Sequence, residues 1–279
     1  MSLPGWFHGF LKPDADRCSV LETALGGSGI GFTVLRTQAG SFVVARPRKV
    51  EHDGRWRSKV VTAHYDRVPG TQGALDNSAA CLQLWSWLVA ERPSLNLSVV
   101  FTDHEELSGR PATEQGAYAL GQAFGSLGIH RPLVFTLDVT GRGDTLVSSS
   151  SAAALRQEGG AMAALSAEVE GMSAALARAL GRRVFRARVP FGEDLGFLRA
   201  GVPALQLTVL PADEAAELSG KDGLPPWASL EWPPESMPYT WRLLHSRDDV
   251  PALYTDDAFG LIDRVMDALA GLAVPAGSA

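Results

Sequence analysis

Histidines and carboxylates recur in this chain at the ends of apolar segments. His64 closes the run KVVTAH, and Asp66 and Asp76 follow it within YDRVPGTQGALDNSAA. Asp103-His104-Glu105-Glu106 follows LSVVFT, Asp138 follows PLVFTL, and His245 opens HSRDD. Neutral imidazole and carboxylate are the ligands that zinc and similar borderline ions take. The recurrence points to one metal centre assembled from several strand ends. Adjacent Glu105 and Glu106 permit a division of labour, one as ligand and the other as an uncoordinated base that takes a proton from water.

The elements that must position these groups alternate in type. A helix is expected over 14–26, then paired strands at 31–37 and 41–47 joined by a Gly-containing turn. Strands follow at 59–64, 97–102, 132–138, 145–148, 183–188 and 203–210. Helices fall between them at 77–92, 113–124, 161–180 and 193–200, and a last helix covers 256–272. Strands alternating with helices predict an α/β fold, a three-layer α/β/α sandwich around a mostly parallel sheet, with the early strand pair making it mixed. In such sheets, sites gather beyond the carboxyl ends of the strands. Residues 211–244 lack periodicity and hold six prolines with Trp227, Trp232 and Trp241. A long irregular loop in a compact domain is usually functional, so Tyr239 and the three tryptophans are candidates for a pocket wall, although packing would account for them equally.

Composition narrows the function classes. The 279 residues carry 31 acidic against 25 basic side chains, a net charge of −6, and no basic stripe, which argues against nucleic-acid binding. Two cysteines, Cys18 and Cys81, cannot form a disulfide framework. Cys81 falls in an apolar helical pattern and reads as a small packing residue. No apolar run reaches membrane-spanning length, and the N-terminus lacks the features of a signal peptide. The expectation is a cytoplasmic protein with one catalytic domain over 1–279 and no repeat or linker.

Each candidate also has an ordinary explanation when taken alone. His64 and Asp66 could be a hydrogen-bonded loop pair. Glu105-Glu106 could be a solvated helix start, where acids are favoured, and Asp138 a cap. Their joint occurrence in the same setting favours the metal centre. His8, His52 and His130 have no acidic partner pattern. His104 adjoins the acidic pair, but alternation along an extended segment turns it away.

The pieces AHYD, GALDNSA, FTDHEE, LDVTG, FGEDLGFLRAGVPALQL and HSRDD, in this order, resemble the two-zinc aminopeptidases of metallopeptidase family twenty-eight, which also includes the glutaminyl cyclases. The resemblance extends over about 59–250. It implies two divalent ions, zinc by family habit, with Asp76 bridging them. His64 and Asp138 would complete one ion's protein ligands, and Glu106 and His245 the other's. Glu105 would be the general base, and Asp66 would orient His64 through the other ring nitrogen. A cis peptide is implied at Asp76–Asn77. Asp194 matches a position where the family carries an acid near the substrate, with a helix cap as its ordinary role. Asp248 and Asp249 read either as supports for the ligands or as surface charges.

The match departs from the family in places. Gln115-Gly116 stands about where members often have Gly-Ser, a change expected to affect helix packing only. LDVTG is equally similar to family forty-two, but HYD and HSRDD favour family twenty-eight. FLRAGVPALQL closely resembles glutaminyl cyclases, whereas Asp76-Asn77 is the peptidase form and no tryptophan follows Glu106 closely. The implied function is therefore metal-dependent removal of N-terminal residues from peptide or aminoacyl substrates. Glutaminyl cyclisation is the enzymatic alternative, and deacylation of other amides uses the same groups. A binding module that has lost catalysis should lack a ligand or the base, and this chain keeps all six.

Overall fold

The computed structural model describes residues 2–106, 111–190, 192–218 and 237–276. The elements in chain order are α1 (Gly5–Phe10), α2 (Arg17–Gly27), β1 (Phe32–Thr37), β2 (Gly40–Ala45), β3 (Val50–Glu51), β4 (Lys59–His64), α3 (Ala79–Val89), β5 (Ser94–Leu95), β6 (Leu97–Thr102), α4 (Gly116–Ala123), β7 (Leu133–Leu137), β8 (Thr145–Ser149), α5 (Gly160–Leu180), β9 (Phe185–Ala187), α6 (Glu193–Arg199), β10 (Ala204–Leu210), α7 (Ala212–Ala216), α8 (Tyr239–Arg242) and α9 (Asp256–Gly271). Eight strands form one mixed sheet in the order β1-β2-β6-β4-β7-β10-β8-β9, covered by helices in an α/β/α arrangement.

The sheet centre explains why its strands were legible. β6, β4, β7 and β10 run parallel. Every residue of β4 and β10 is buried, and strands covered on both faces read as continuous apolar runs. β1 pairs antiparallel with β2, and β2 antiparallel with β6, as the early hairpin pattern implied. A second antiparallel junction joins β10 to β8. Register sets the site: His64 pairs with Thr102, and Thr62 with Thr136. The carboxyl ends of β6, β4 and β7 therefore lie side by side.

Helix boundaries follow local chemistry. The Asp16 carboxylate accepts from the Ser19 N–H at the start of α2, and Thr255 accepts from Ala258 N–H at the start of α9. Gly181 ends α5 in the left-handed conformation, φ 62°. The helix expected from Asn77 begins at Ala79; residues 74–78 before it are irregular, and the Asp76–Asn77 peptide is cis. The β9 strand is shorter than the 183–188 expected, pairing only with Val147–Ser149.

Other elements had no sequence signal. The six-residue α1 buries Phe7 and Phe10, and Trp6 meets Trp85 edge-on at 5.2 Å between ring centroids. Isolated helices that short are unstable in water, so packing makes this one. The Ser/Ala-rich stretch after β8 forms a 3-10 helix at Ser151–Glu158. The segment 211–244 is not irregular throughout: α7 and α8 occupy its described ends. Trp227 and Trp232 lie outside the described residues. No helix among the described residues is long and apolar enough to cross a membrane.

Candidate metal centre

Three adjacent strand ends and two loops bring the predicted ligands together. His64 is the last residue of β4, Glu105 and Glu106 follow β6, and Asp138 follows β7. Asp76 arrives on the irregular turn before α3, and His245 on the segment after α8. The His64 Nε2 atom lies 3.2 Å from Asp76 Oδ1 and 3.6 Å from Asp138 Oδ1. The His245 Nε2 atom lies 3.0 Å from Asp76 Oδ2 and 3.1 Å from Glu106 Oε2. The two oxygens of Asp76 thus face two separate sets of groups, His64 with Asp138 and His245 with Glu106.

The residues fit a metal centre on their own chemistry. One ligand atom each from His64, Asp76 and Glu106 lies within 4.8 Å of the others. His64 Nε2, Asp138 Oδ1 and Glu106 Oε1 are buried without a hydrogen-bond partner, and such orphaned groups in a native fold call for a specific cause. Imidazole nitrogen and carboxylate oxygen in this proportion suit zinc or a similar divalent ion. Asp76, Glu105, Glu106 and Asp138 together would balance the charge of two such ions.

Electrostatics show the same demand for positive charge. Burial pushes Glu106 up to about 7, with Asp76 adding repulsion and His245 opposing it. Glu105 is pushed well above the glutamate range by burial; His64 works against that, while Glu106, Asp138 and Asp76 reinforce it. Burial disfavours the His64 imidazolium, yet Asp138, Asp66 and Asp76 hold its pKa well above the ordinary value. Asp76 and Glu106 raise His245 to about 11. In the metal-free protein, protons on the imidazoles take the place of cations.

Four of the five candidate ligands have a supporting neighbour. Asp66 lies 3.4 Å from His64 Nδ1 through Oδ1 and accepts the Glu106 N–H at 3.0 Å through Oδ2. One carboxylate therefore contacts a residue of each set. Asp249 accepts from Leu75 N–H at 2.6 Å and Asp76 N–H at 3.3 Å, fixing the turn that carries Asp76. Gln206 donates to Asp138 Oδ2 at 2.8 Å. Asn77 donates to Leu137 O at 2.7 Å and accepts from Val139 N–H at 3.3 Å, clasping the backbone on both sides of Asp138.

Of the two readings open for Asp248 and Asp249, Asp249 is the buried support and Asp248 is exposed. Gln206 had one signal, a polar residue within the apolar strand PALQLTVL. The Gln115-Gly116 departure reaches beyond helix packing, contrary to expectation. The Gln115 amide donates to Glu105 Oε1 at 3.4 Å. A Cβ on Gly116 would lie 1.9 Å from the Asp103 carbonyl oxygen, so only glycine allows α4 to approach the turn that bears Glu105.

That turn is unusual in its backbone. His104, Val139 and His245 have φ of 60°, 52° and 57°. Left-handed conformations in non-glycine residues are uncommon and cluster at functional sites. One residue precedes Glu105, one follows Asp138, and the third is itself a candidate ligand. The His104 side chain is half-exposed and lies against Asp103, away from the ligands.

The substrate-side candidates separate. Tyr239 is 48% exposed, with the Arg142 and Arg242 guanidinium groups each 5.5 Å from its ring centroid. His245 is similarly open on one side, at 54%, so the cluster opens to solvent there. Trp241 is buried beside Leu75 and Val139 in a small apolar cluster; it supports the floor of the site and does not present an open wall. Asp194 is buried on α6 near Ser149 and Ser151, and burial pushes its carboxyl up to about 7. Its neighbour Glu193 accepts from Thr62 at 3.1 Å, two residues before His64.

Solved structures of known proteins resemble the fold. The structure of a zinc aminopeptidase from Bacillus subtilis is 14% identical with a TM-score of 0.51, covering 82% of this chain and 49% of its own; the chain thus spans about half the length of that protein. A glutaminyl cyclase from Bacteroides thetaiotaomicron, solved with N-acetylhistamine, is 12% identical with a TM-score of 0.63, covering 95% and 96%. A leucine aminopeptidase precursor from the same organism is 12% identical with a TM-score of 0.62, covering 95% of each chain. Among curated proteins no match to the sequence was found. The family model described as Peptidase family M28 matches residues 48–269, a span that contains every residue of the cluster, and the chain belongs to that family.

Proposed function

We propose that this protein is a metal-dependent aminopeptidase that hydrolyses the N-terminal residue from peptides. The observation that carries the reading is the Asp76 carboxylate, whose two oxygens face His64 and His245 at 3.2 and 3.0 Å. His64, Asp76 and Asp138 would hold one divalent ion, and Asp76, Glu106 and His245 a second. Such a pair supplies Lewis acidity, polarising a carbonyl and making a water acidic near neutral pH.

The chain's own residues do the rest. Glu105 is buried beside the ligands and is not needed as one. Its carboxylate takes the proton of the attacking water and delivers it to the leaving amine. The Gln115 amide restrains one oxygen of that carboxylate. Asp66, 3.4 Å from His64 Nδ1, would steady the ring with Nε2 directed at the cluster. The free amine of a peptide N-terminus would bind among the carboxylates, which favours exopeptidase action. Entry is from the open side of His245.

The glutaminyl cyclase alternative differs in product. Asn77 favours the peptidase by resemblance, since cyclases tend to carry Asp-Ser at this point; its side chain ties the strand end bearing Asp138 to the turn bearing Asp76. The test is a panel of aminoacyl chromogenic substrates and an N-terminal glutamine peptide, assayed with added zinc, cobalt or manganese. Release of free amino acids supports the aminopeptidase. Ring closure of glutamine without hydrolysis would establish the cyclase, and no turnover of any substrate by metal-loaded protein would favour a binding role.

A further inference from the structure

The turn that carries Asp76 is gripped from outside the region that matches the family. Arg17, the first residue of α2, is buried, and the family match begins only at residue 48. Its guanidinium donates to Tyr65 O at 2.8 Å, to Gln72 O at 2.6 Å and to Ser78 Oγ at 2.8 Å. Nε donates to Phe10 O at 3.2 Å, and the Phe10 ring lies 4.5 Å from the guanidinium carbon. Tyr65 stands between His64 and Asp66, Gln72 four residues before Asp76, and Ser78 two residues after it. One side chain therefore closes the neck of a loop whose two ends bear the ligands His64 and Asp76.

We infer that Arg17 is a positioning residue for the metal site: its planar fork sets the shape of the 65–78 loop and thereby the placement of Asp76. Most of its acceptors are backbone carbonyls, so the contact reads loop geometry more than charge. A guanidinium offers five donors in fixed directions, whereas a lysine ammonium on a flexible stem cannot reach all three loop positions at once. Gly73, with φ 53°, lets the loop fold against this fork, because a Cβ there would lie 2.6 Å from the Asp76 carbonyl oxygen. The two N-terminal helices are thus an integral support of the site.

The inference rests on the two-metal reading above, and its test separates the two. Cobalt affinity by chelator competition and the cobalt visible spectrum are measured for the parent, Arg17→Met, Arg17→Lys and Leu25→Ala. Leu25 is buried in α2 away from the loop, so Leu25→Ala lowers thermal stability but leaves cobalt affinity and spectrum as in the parent. Both Arg17 variants are expected to lose cobalt affinity ~10–100-fold, the range seen when a group orienting a ligand is removed, with an altered spectrum. Arg17→Lys keeps the charge and guards against a variant that fails to fold. Parental affinity and spectrum in both Arg17 variants would overturn the inference. Equal loss of affinity in Leu25→Ala would do so too, by showing a general stability effect. A parent that binds no cobalt sinks the two-metal reading and this inference with it.

Discussion

Glu105→Gln separates binding from catalysis at the centre of the site. The substitution keeps the shape and the Gln115 contact but removes the basic oxygen pair and one negative charge. A positioned general base contributes ~10²–10⁴-fold to rate, so kcat should fall by that factor, about 2.7–5.5 kcal/mol of barrier. The metal content should not change, since His64, Asp76, Glu106, Asp138 and His245 are untouched. Stability should move the other way in the metal-free protein. Burial, followed by repulsion from Glu106, Asp138 and Asp76, raises the folded-state pKa of Glu105 well above the ordinary glutamate value. As pH rises beyond that ordinary value, the unfolded chain gives up this proton while the folded chain keeps it, so the fold loses stability. The glutamine variant escapes this loss, and its advantage in metal-free thermal unfolding should grow from pH 5 to neutrality. The assays are turnover on an aminoacyl substrate, metal content by emission spectroscopy, and unfolding scans in chelator across pH. Undiminished kcat at full metal content would refute the base assignment. A metal-free variant less stable than the parent at every pH would refute the electrostatic argument.

Asp249→Asn should weaken metal binding ~10–100-fold, because an amide can accept only one of the Leu75 and Asp76 N–H groups and turns a donor on the other; titration calorimetry gives the affinity, and parental affinity would remove Asp249 from the support of the site. Metal affinity should rise from pH 6 to pH 8. The His245 pKa of about 11 means that its pairing with Asp76 and Glu106 is present across neutral pH and is lost only as pH rises through that value, so the metal must expel a proton. Calorimetry in buffers of different ionisation enthalpy should show proton release at pH 7, and none would contradict this. Gly116→Ala should lower the unfolding temperature by overpacking worth about 1–3 kcal/mol, with its Cβ against the Asp103 carbonyl; an unchanged transition would show that α4 shifts freely.

Much of this was legible because it is local. Histidine and carboxylate are common ligands of zinc-like ions, and at the end of a buried parallel strand such a residue stands out against Val, Leu and Phe. His64, Glu105, Glu106 and Asp138 were picked out this way, whereas the adjacency of their strand ends comes from the pairing of β4 with β6 and β7. The groups that hold the ligands lacked that contrast. Asp249 meets the Asp76 turn from more than 170 positions away, Gln206 meets Asp138 from 68, and Arg17 meets the same loop from 48 to 61. Asp194 was singled out by its type and its match to the family, yet the turn of α6 buries it against serines and sets Glu193 beneath the β4 ligand. Trp241, in an aperiodic stretch, could be read as pocket wall or as packing, and it packs with Leu75 and Val139 in a buried apolar cluster.

Sequence by itself therefore determined the chemistry: which groups could bind a metal, which could act as a base, and the sheet that would gather them. How those groups divide, with Asp76 facing both ways, was implied by the family resemblance, and only the tertiary structure decided which residues secure them. The reason is physical. Ligand identity is a property of single side chains, whereas orientation comes from buried hydrogen bonds between segments far apart in the chain, and those form only when the whole sheet and its N-terminal helices are in place.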